Sequence, residues 1–496
     1  MELSRLLQAV EVRRVEGNPE REIASICHDS RAAAPGSLFV ALRGGSTDGH
    51  HHVAQAVERG AVAVVCEREV PCGRATRVEV EDTRRALPAL AGLFHGHPSR
   101  RLRVSGVTGT NGKTTTAFLV KHLCQAAHHA CGLIGTVRYE IGERILPAPH
   151  TTPEATDLQD LLARMVAAGC RAVSMEVSSH ALDQHRADGI DFDVCIFTNL
   201  TQDHLDYHGT MQAYFDAKAR LFQGAPTGSR KSPKAVVNLD DAYGQKLVTR
   251  IGKTMPVITY GMGARAEFRA TGIRQTIQGT TFQLEALGRS FLVRLPLIGR
   301  FNVSNALAAL AASYALGFEL RASVQALADA PQVPGRLQQV QGRRRPFQVY
   351  VDYAHTPDAL VNALRTLREL APARIITLFG CGGNRDRAKR PLMARAAGEL
   401  SDFVVATSDN PRNEDPEAIL REVVSGFPAG ARFEVVSDRA AAIRRAIGLA
   451  GPQDLVLLAG KGHETTQEIA GRKIPFDDTD HAAKAIEERL ATEAIP

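Results

Sequence analysis

The chain has no paired cysteine motif. Its 8 cysteines (Cys27, Cys66, Cys72, Cys124, Cys131, Cys170, Cys195 and Cys381) are scattered over 496 residues, and no C-x-x-C occurs. This spacing speaks against a disulfide frame or a cysteine zinc site and reads as reduced, mostly buried thiols. Long apolar runs are missing as well: none approaches the roughly 20 residues that cross a bilayer. The amino-terminal stretch is broken by Glu11, Arg13 and Arg14 and holds no signal-peptide apolar segment. A cytoplasmic protein without a membrane span is the expectation. A strong excess of one charge is also lacking, since 60 basic residues face 54 acidic ones, a formal charge of +6. That is too little to indicate a nucleic-acid binder, but it suits small anionic substrates. The densest basic run, Arg343-Arg344-Arg345, has no interleaved aromatic and reads as a solvated turn. No internal repeat and no low-complexity tract is found. His50 to His52 and His128-His129 have no partner acids at metal spacing and read as surface.

What is present is ordinary globular composition, 44% hydrophobic and 23% charged, at a length that suggests about three domains. Segment 1–98 alternates strands (37–42, 61–65) with helices (50–59, 83–95) and reads as a small α/β domain. Segment 99–332 opens with a strand at 102–107, a glycine-rich turn and a helix at 113–127. Two further apolar strands, 172–177 and 194–198, end in polar residues. Open parallel sheets carry their sites at such strand ends. Short alternating strands, expected to be antiparallel, fill 256–297, and a helix follows at 302–316. Segment 333–496 repeats strands (374–379, 403–407, 433–436, 455–459) and helices, a Rossmann-like pattern. No G-x-G-x-x-G opens it, so a dinucleotide role is not indicated. The fold class expected is α/β, with a central mononucleotide-binding parallel sheet and a C-terminal Rossmann-like sheet.

The sharpest local signal is Gly106-Val107-Thr108-Gly109-Thr110-Asn111-Gly112-Lys113-Thr114-Thr115, set between strand and helix. Val107 stands where the strict P-loop has its first glycine. Backbone N–H groups and the helix N-terminus would face phosphate, Lys113 would reach the β- and γ-phosphates, and Thr114 would ligate Mg²⁺. Glu176 ends one neighbouring strand and His204 follows the other, so both are expected beside the loop. Lys218, in Tyr214-Phe215-Asp216-Ala217-Lys218, is by its residues alone an ordinary helical lysine. Asn302, in Gly299-Arg300-Phe301-Asn302, reads first as a helix cap. Asp352 and His355 sit at a strand end, with no serine signature for a hydrolase triad. Three more strand ends carry Gly380-Cys381-Gly382-Gly383-Asn384-Arg385, Asp409-Asn410-Pro411-Arg412 and Gly460-Lys461-Gly462-His463-Glu464. Arginines that grip carboxylates and acids that hold ammonium groups would suit a zwitterionic amino acid.

Taken in order, Gly-Thr-Asn-Gly-Lys-Thr-Thr, Met-Glu-Val-Ser-Ser-His, Thr-Asn-Leu-x-x-Asp-His-Leu-Asp, Gly-x-Phe-Asn-x-x-Asn and Asp-Tyr-Ala-His-x-Pro resemble the Mur ligases over essentially the whole chain. These are ATP-dependent amide-bond ligases of peptidoglycan precursor synthesis. Asp29-Ser30-Arg31, Thr151-Thr152-Pro153 and Asp409-Asn410-Pro411-Arg412 resemble the branch that handles 2,6-diaminopimelate. The resemblance implies three domains: 1–98 for the UDP end, 99–332 for ATP and 333–496 for the incoming amino acid. It implies that Gly109, Thr110, Asn111, Gly112, Lys113, Thr114, Thr115, Asn302, Arg336 and Asp352 bind ATP. Thr114, Glu176, His204 and a carbamylated Lys218 would hold Mg²⁺, with Lys113, Lys218, His204 and Glu176 serving catalysis. Ser30 and the Gly45-Ser46-Thr47 loop would meet the uridine end, and Thr151, Thr152, Ser178, Gln184 and Arg186 the muramoyl-dipeptide. Arg385, Asp409, Asn410, Pro411, Arg412, Gly460 and Glu464 would form the diaminopimelate site, with Arg412 excluding lysine. Two local departures are the 45–47 stretch, which lacks a histidine some relatives carry, and His150, where some relatives have asparagine.

The implied reaction adds meso-2,6-diaminopimelate to the D-glutamate of UDP-N-acetylmuramoyl-L-alanyl-D-glutamate through an acyl phosphate, with ATP and Mg²⁺. Domain closure would align the amine and exclude water. The expected partners are these small substrates, with no nucleic acid, and the expected state is a monomer. A lysine-adding ligase, a folylpolyglutamate synthase and a scaffold with a dead nucleotide site are the competing readings.

Overall fold

The computed structural model describes residues 1–45, 47–224 and 228–493. It is a mixed α/β structure whose larger sheets are mainly parallel. By its contacts the chain divides into two compact units. The first holds residues 1–271, 284–291 and 304–326, and the second holds 272–283, 292–303 and 327–496. No helix among the described residues is long and apolar enough to cross a membrane.

In the first unit, a five-stranded sheet runs in the order Val12–Glu16, Thr76–Val80, Ala61–Cys66, Ser37–Val40, Ser25–Cys27. Ser37–Val40 is buried at every position, because a parallel strand between two neighbours is covered on both faces. The helix expected over 50–59 is shorter: a 3₁₀ turn, Gly49–His52, leads into Val53–Glu58. The cause is Asp48, whose side chain accepts the His50 N–H and caps the turn. His50 is not a surface residue. It is buried, with Nδ1 2.6 Å from Asp48 Oδ1 and Nε2 accepting the Glu67 N–H at 3.0 Å. All eight cysteines are free and buried.

The second sheet carries the glycine-rich turn. Its centre runs Lys234–Asn238, Val194–Phe197, Arg103–Thr108, Ala172–Glu176, Cys131–Ile134, all parallel. The strand before the turn therefore lies between the two strands that end in Glu176 and near His204. Register pairs Glu176 with Val107 and Phe197 with Thr108, so the three carboxyl ends finish level. Of the strands expected to be antiparallel, Val257–Gly261 is instead parallel to both neighbours. Phe268–Thr276, Gly279–Ala286 and Arg289–Leu295 follow as successive neighbours in the sheet.

In the second unit, the sheet order is Gln338–Gln339, Gln348–Asp352, Leu455–Ala459, Ile375–Cys381, Phe403–Ser408, Phe433–Val435. Only the first strand is antiparallel to its neighbour. Adjacent strands thus deliver Asp352, Gly460, Cys381 and Asp409 to one edge. Helices cover both faces, and two clusters of buried apolar side chains separate them from the sheet. Beneath the strand ends lies a fully buried ion pair, in which Arg439 Nη2 reaches Asp478 Oδ2 at 2.6 Å.

Candidate active site

Gly109 begins the turn with φ +145, and a Cβ there would lie 1.9 Å from Thr198 Oγ1. Only glycine admits so close a neighbour. Thr198 Oγ1 donates to Asn111 O at 2.6 Å, and Asn199 accepts the Asn111 and Thr110 N–H groups at 2.9 Å each. The end of the adjacent strand thereby clamps the loop. Lys113 opens the helix Lys113–Ala126, and its Nζ donates to Gly109 O at 2.9 Å and Thr110 O at 2.8 Å. The ammonium is folded over a glycine-rich turn at a helix N-terminus, an arrangement that suits phosphate. Thr114 and Thr115, the next two residues of the helix, are buried. Gly109→Ala should raise the KM for ATP at least about tenfold, because the added methyl must displace Thr198 and so unclamp the loop; steady-state kinetics at varied ATP would measure it.

Glu176 links this loop to a second group of residues. It is 1% exposed. Its Oε2 accepts from Thr114 Oγ1 at 3.1 Å and from Thr136 Oγ1 at 3.0 Å, and its Oε1 accepts the Thr136 N–H at 2.8 Å. Thr136 Oγ1 lies 3.0 Å from Thr151 Oγ1. Thr152 Oγ1 donates to Glu176 O at 2.9 Å and accepts the Ser178 N–H at 3.1 Å. Arg186 donates to Thr152 O at 3.1 Å and to Gln184 Oε1 at 2.6 Å, and forms an ion pair with Glu154 at 3.0 Å. Thr151, Thr152, Ser178, Gln184 and Arg186 therefore form one connected network that meets the phosphate-type loop at Glu176.

His204 and Lys218 meet at an aromatic side chain that sequence reasoning passed over. Lys218 is 1% exposed; its Nζ donates to Gly109 O at 2.8 Å and lies 4.5 Å from the Tyr214 ring centre. Burial, with the nearby Lys113 charge, holds its pKa well below the usual lysine range. The His204 ring lies 6.1 Å from Tyr214 and 4.8 Å from His180. Burial draws the His204 pKa down, and that of His180 to about 4. His208 and Tyr207 complete the cluster against His180. Their motif, Asp206-Tyr207-His208, directly follows the His204 segment and was the available signal.

Ser30 lines a cavity of about 630 Å³ in the first unit, together with Thr47, His52, Gln55, Arg84 and Glu154. Ser30 Oγ donates to Gln55 Oε1 at 2.7 Å. Ser46 lies outside the described residues.

The remaining named residues belong to the second unit. Asn302 is buried inside the first turn of the helix Arg300–Ala315 rather than at its cap, and its Nδ2 donates to Ile298 O at 2.8 Å. Asp352 accepts the Leu337 N–H at 2.6 Å. Burial pushes its carboxyl up to about 6 against the pull of Arg336. Arg336 in turn lies over the Tyr353 ring. At the neighbouring strand ends, Asp409, Asn410 and Pro411 are buried and Arg385 is exposed. Arg412 has φ +54 and donates from Nη1 to Gly383 O at 2.7 Å. The two loops interlock, since a Cβ on Gly383 would lie 2.0 Å from Pro411 O. Gly460, at φ +115, lies beside Asp409, and Glu464 accepts from Asn410 Nδ2 at 2.8 Å. Sequence reasoning did not single out the hairpin Thr466–Ile469 with Arg472–Pro475. It walls this crevice: Arg412 N donates to Glu468 O at 3.0 Å, and Gln467 Nε2 to Asp409 O at 2.6 Å.

Three family models match the chain: the Mur ligase family catalytic domain over 22–95, the Mur ligase middle domain over 107–313 and the Mur ligase glutamate ligase domain over 335–462. The UDP-N-acetylmuramoyl-L-alanyl-D-glutamate–2,6-diaminopimelate ligase of Geobacillus thermodenitrificans is 48% identical, over 95% of this chain and 96% of that one. The chain is a Mur ligase. A solved structure of a ligase of the same name superposes on this Mur ligase with a TM-score of 0.71 at 36% identity, covering 99% of each chain. Folylpolyglutamate synthase of Mycobacterium tuberculosis superposes with a TM-score of 0.63 at 20% identity, over 81% of this chain and 94% of that one. That second likeness concerns the fold alone.

Among the described residues of this Mur ligase, no three His, Cys, Asp or Glu side chains converge as a metal site. Mg²⁺ does not require such a cluster, because it is commonly held by one or two carboxylates plus phosphate and water oxygens. The donor set here fits: a buried carboxylate, Glu176, bonded to the hydroxyl of Thr114 beside the phosphate-type loop.

Proposed function

We propose that this Mur ligase uses ATP to join meso-2,6-diaminopimelate to the D-glutamyl γ-carboxylate of UDP-N-acetylmuramoyl-L-alanyl-D-glutamate, as a cytoplasmic monomer. The observation that carries this reading is Glu176, whose single carboxylate bonds both Thr114 of the loop and the Thr136–Thr151 pair. A γ-phosphate on the loop and a carboxylate acceptor on the threonine network would therefore lie side by side.

In this reading residues 1–98 hold the UDP end, 99–332 the ATP and 333–496 the amino acid. Ser30 and Thr47 face the uridine, while Thr151, Thr152, Ser178, Gln184 and Arg186 orient the dipeptide. Gly109, Thr110, Asn111, Gly112, Lys113, Thr114 and Thr115 bind the phosphates, and Asn302, Arg336 and Asp352 the rest of the nucleotide. Thr114, Glu176, His204 and a carbamylated Lys218 would hold Mg²⁺, which when bound offsets phosphate charge. The depressed pKa of Lys218 supports that modification, because only a neutral amine attacks carbon dioxide. The depressed pKa of His204 likewise favours a neutral, donor-competent imidazole.

The γ-phosphoryl group passes to the D-glutamyl carboxylate, and Lys113 offsets the charge on its oxygens. The free amine of diaminopimelate then attacks the acyl carbon. The tetrahedral intermediate loses phosphate and a proton to leave the amide. A heavy-oxygen label in the γ-carboxylate should therefore appear in the released phosphate. Label retained wholly in the peptide product would refute the acyl phosphate.

Arg412 is proposed to pair with the distal carboxylate that lysine lacks, alongside Arg385, Asp409, Asn410, Pro411, Gly460 and Glu464. Arg412→Ala should then reduce the preference for diaminopimelate over lysine roughly ten- to a hundredfold, the scale of one charged hydrogen bond. Competition between the two amino acids measures it, and unchanged selectivity would remove Arg412 from this role.

A further inference from the structure

The crevice of the second unit holds a buried cation to which the functional reading assigns no part. Lys461 is 0% exposed. Its Nζ donates to Thr466 O at 2.6 Å, to Glu464 Oε2 at 3.1 Å and to Asn410 Oδ1 at 3.2 Å, and lies 3.8 Å from Asp409 Oδ1. These acceptors come from three separate stretches: the loop after Phe403–Ser408, the turn after Leu455–Ala459, and the hairpin at Thr466.

An ammonium only donates, so Asn410 must turn its carboxamide oxygen toward Lys461. The Glu468 N–H donates to the same oxygen at 3.0 Å. The amide nitrogen is thereby aimed at Glu464 Oε2, 2.8 Å away. Lys461 and Asn410 both load that one oxygen of Glu464, which leaves Oε1 as the oxygen open to an ammonium group. Lys461 also stands between two acids. Asp409 Oδ1 is buried without a hydrogen-bond partner, so removing the cation would take away one of the two nearby cations, the other being Arg439, that offset the charges of Asp409 and Glu464.

We infer that Lys461 is a positioning residue for the incoming amino acid, acting through the orientation of Asn410 and the aim of Glu464. The inference rests on the diaminopimelate reading above. Being fully buried, Lys461 does not touch the substrate, so its effect must pass through those two side chains.

The test is Lys461→Met, which keeps the length of the side chain and removes the charge and the donors. The KM for meso-diaminopimelate should rise roughly ten- to a hundredfold. The KM values for ATP and for the UDP-muramoyl-dipeptide should stay within about twofold, as for independent sites. In a Glu464→Gln background the same change should have a smaller effect, because the two residues act as one unit. Should Lys461→Met fail to fold, Lys461→Gln, which keeps a donor but no charge, carries the same comparison with an intermediate shift. An unchanged diaminopimelate KM, equal shifts in all three KM values, or full multiplicativity with Glu464→Gln would each overturn the inference. If the unaltered enzyme turned over no diaminopimelate, the functional reading itself would fall instead.

Discussion

Glu176→Gln should lower kcat on the order of 10³-fold while leaving the melting temperature nearly unchanged. The substitution is isosteric, and its carboxamide oxygen can still accept the Thr136 N–H that Oε1 accepts now. What disappears is the charge, and with it Oε2 as the oxygen that accepts from both the Thr114 and the Thr136 hydroxyls. A phosphoryl transfer that depends on an anionic ligand beside the loop cannot proceed at its normal rate without that charge. Glu176→Ala should lose activity to the same degree and also stability, because the half-buried Thr136 N–H then has no side-chain acceptor, a cost of about 1 kcal/mol. The contrast between the two variants separates chemistry from folding. Normal turnover by Glu176→Gln would contradict the role given to this residue.

Arg439→Met should destabilise the second unit by about 3–5 kcal/mol, the usual penalty for stranding one member of a buried ion pair. Both Arg439 and Asp478 are fully buried. Arg439 also donates to Ser408 O at 3.3 Å and to Ala459 O at 3.1 Å, the last residues of two strands that feed the crevice. Removing it leaves Asp478 charged and alone and frees the two strand ends. Replacing the pair together, Arg439→Met with Asp478→Leu, should recover much of the loss, since no unpaired charge then remains. Thermal unfolding of the single and double variants measures both statements. A single variant as stable as the parent would show that the pair is not structurally important.

The sites legible in the sequence are those marked by one strand end and one short motif. The loop from Gly109 to Lys113, Glu176 and the Asp409 to Arg412 segment all follow apolar strands directly, and chain order alone places them at sheet edges. Residues whose meaning depends on a spatial neighbour were not legible. Lys218 sits in the last turn of the helix Met211–Ala219, with no local sign of its bond to Gly109 O. Tyr214 has no motif that marks it as the ring between His204 and Lys218. Lys461, inside a quoted motif, passes for a surface lysine until its three acceptors are seen. His50 was misread because a histidine run resembles a solvated patch. The capping bond from Asp48 and the Glu67 N–H, 17 residues away, bury it. The parallel pairing of Val257–Gly261 was likewise hidden, since alternation in sequence does not report the direction of a partner strand.

The most direct test is phosphate release from ATP and Mg²⁺ in the presence of the UDP-muramoyl-dipeptide, comparing meso-diaminopimelate with L-lysine. The account predicts sustained turnover with diaminopimelate and little with lysine. Turnover with lysine at a comparable rate would contradict the role of Arg412, and silence with both amino acids would contradict the proposed reaction as a whole.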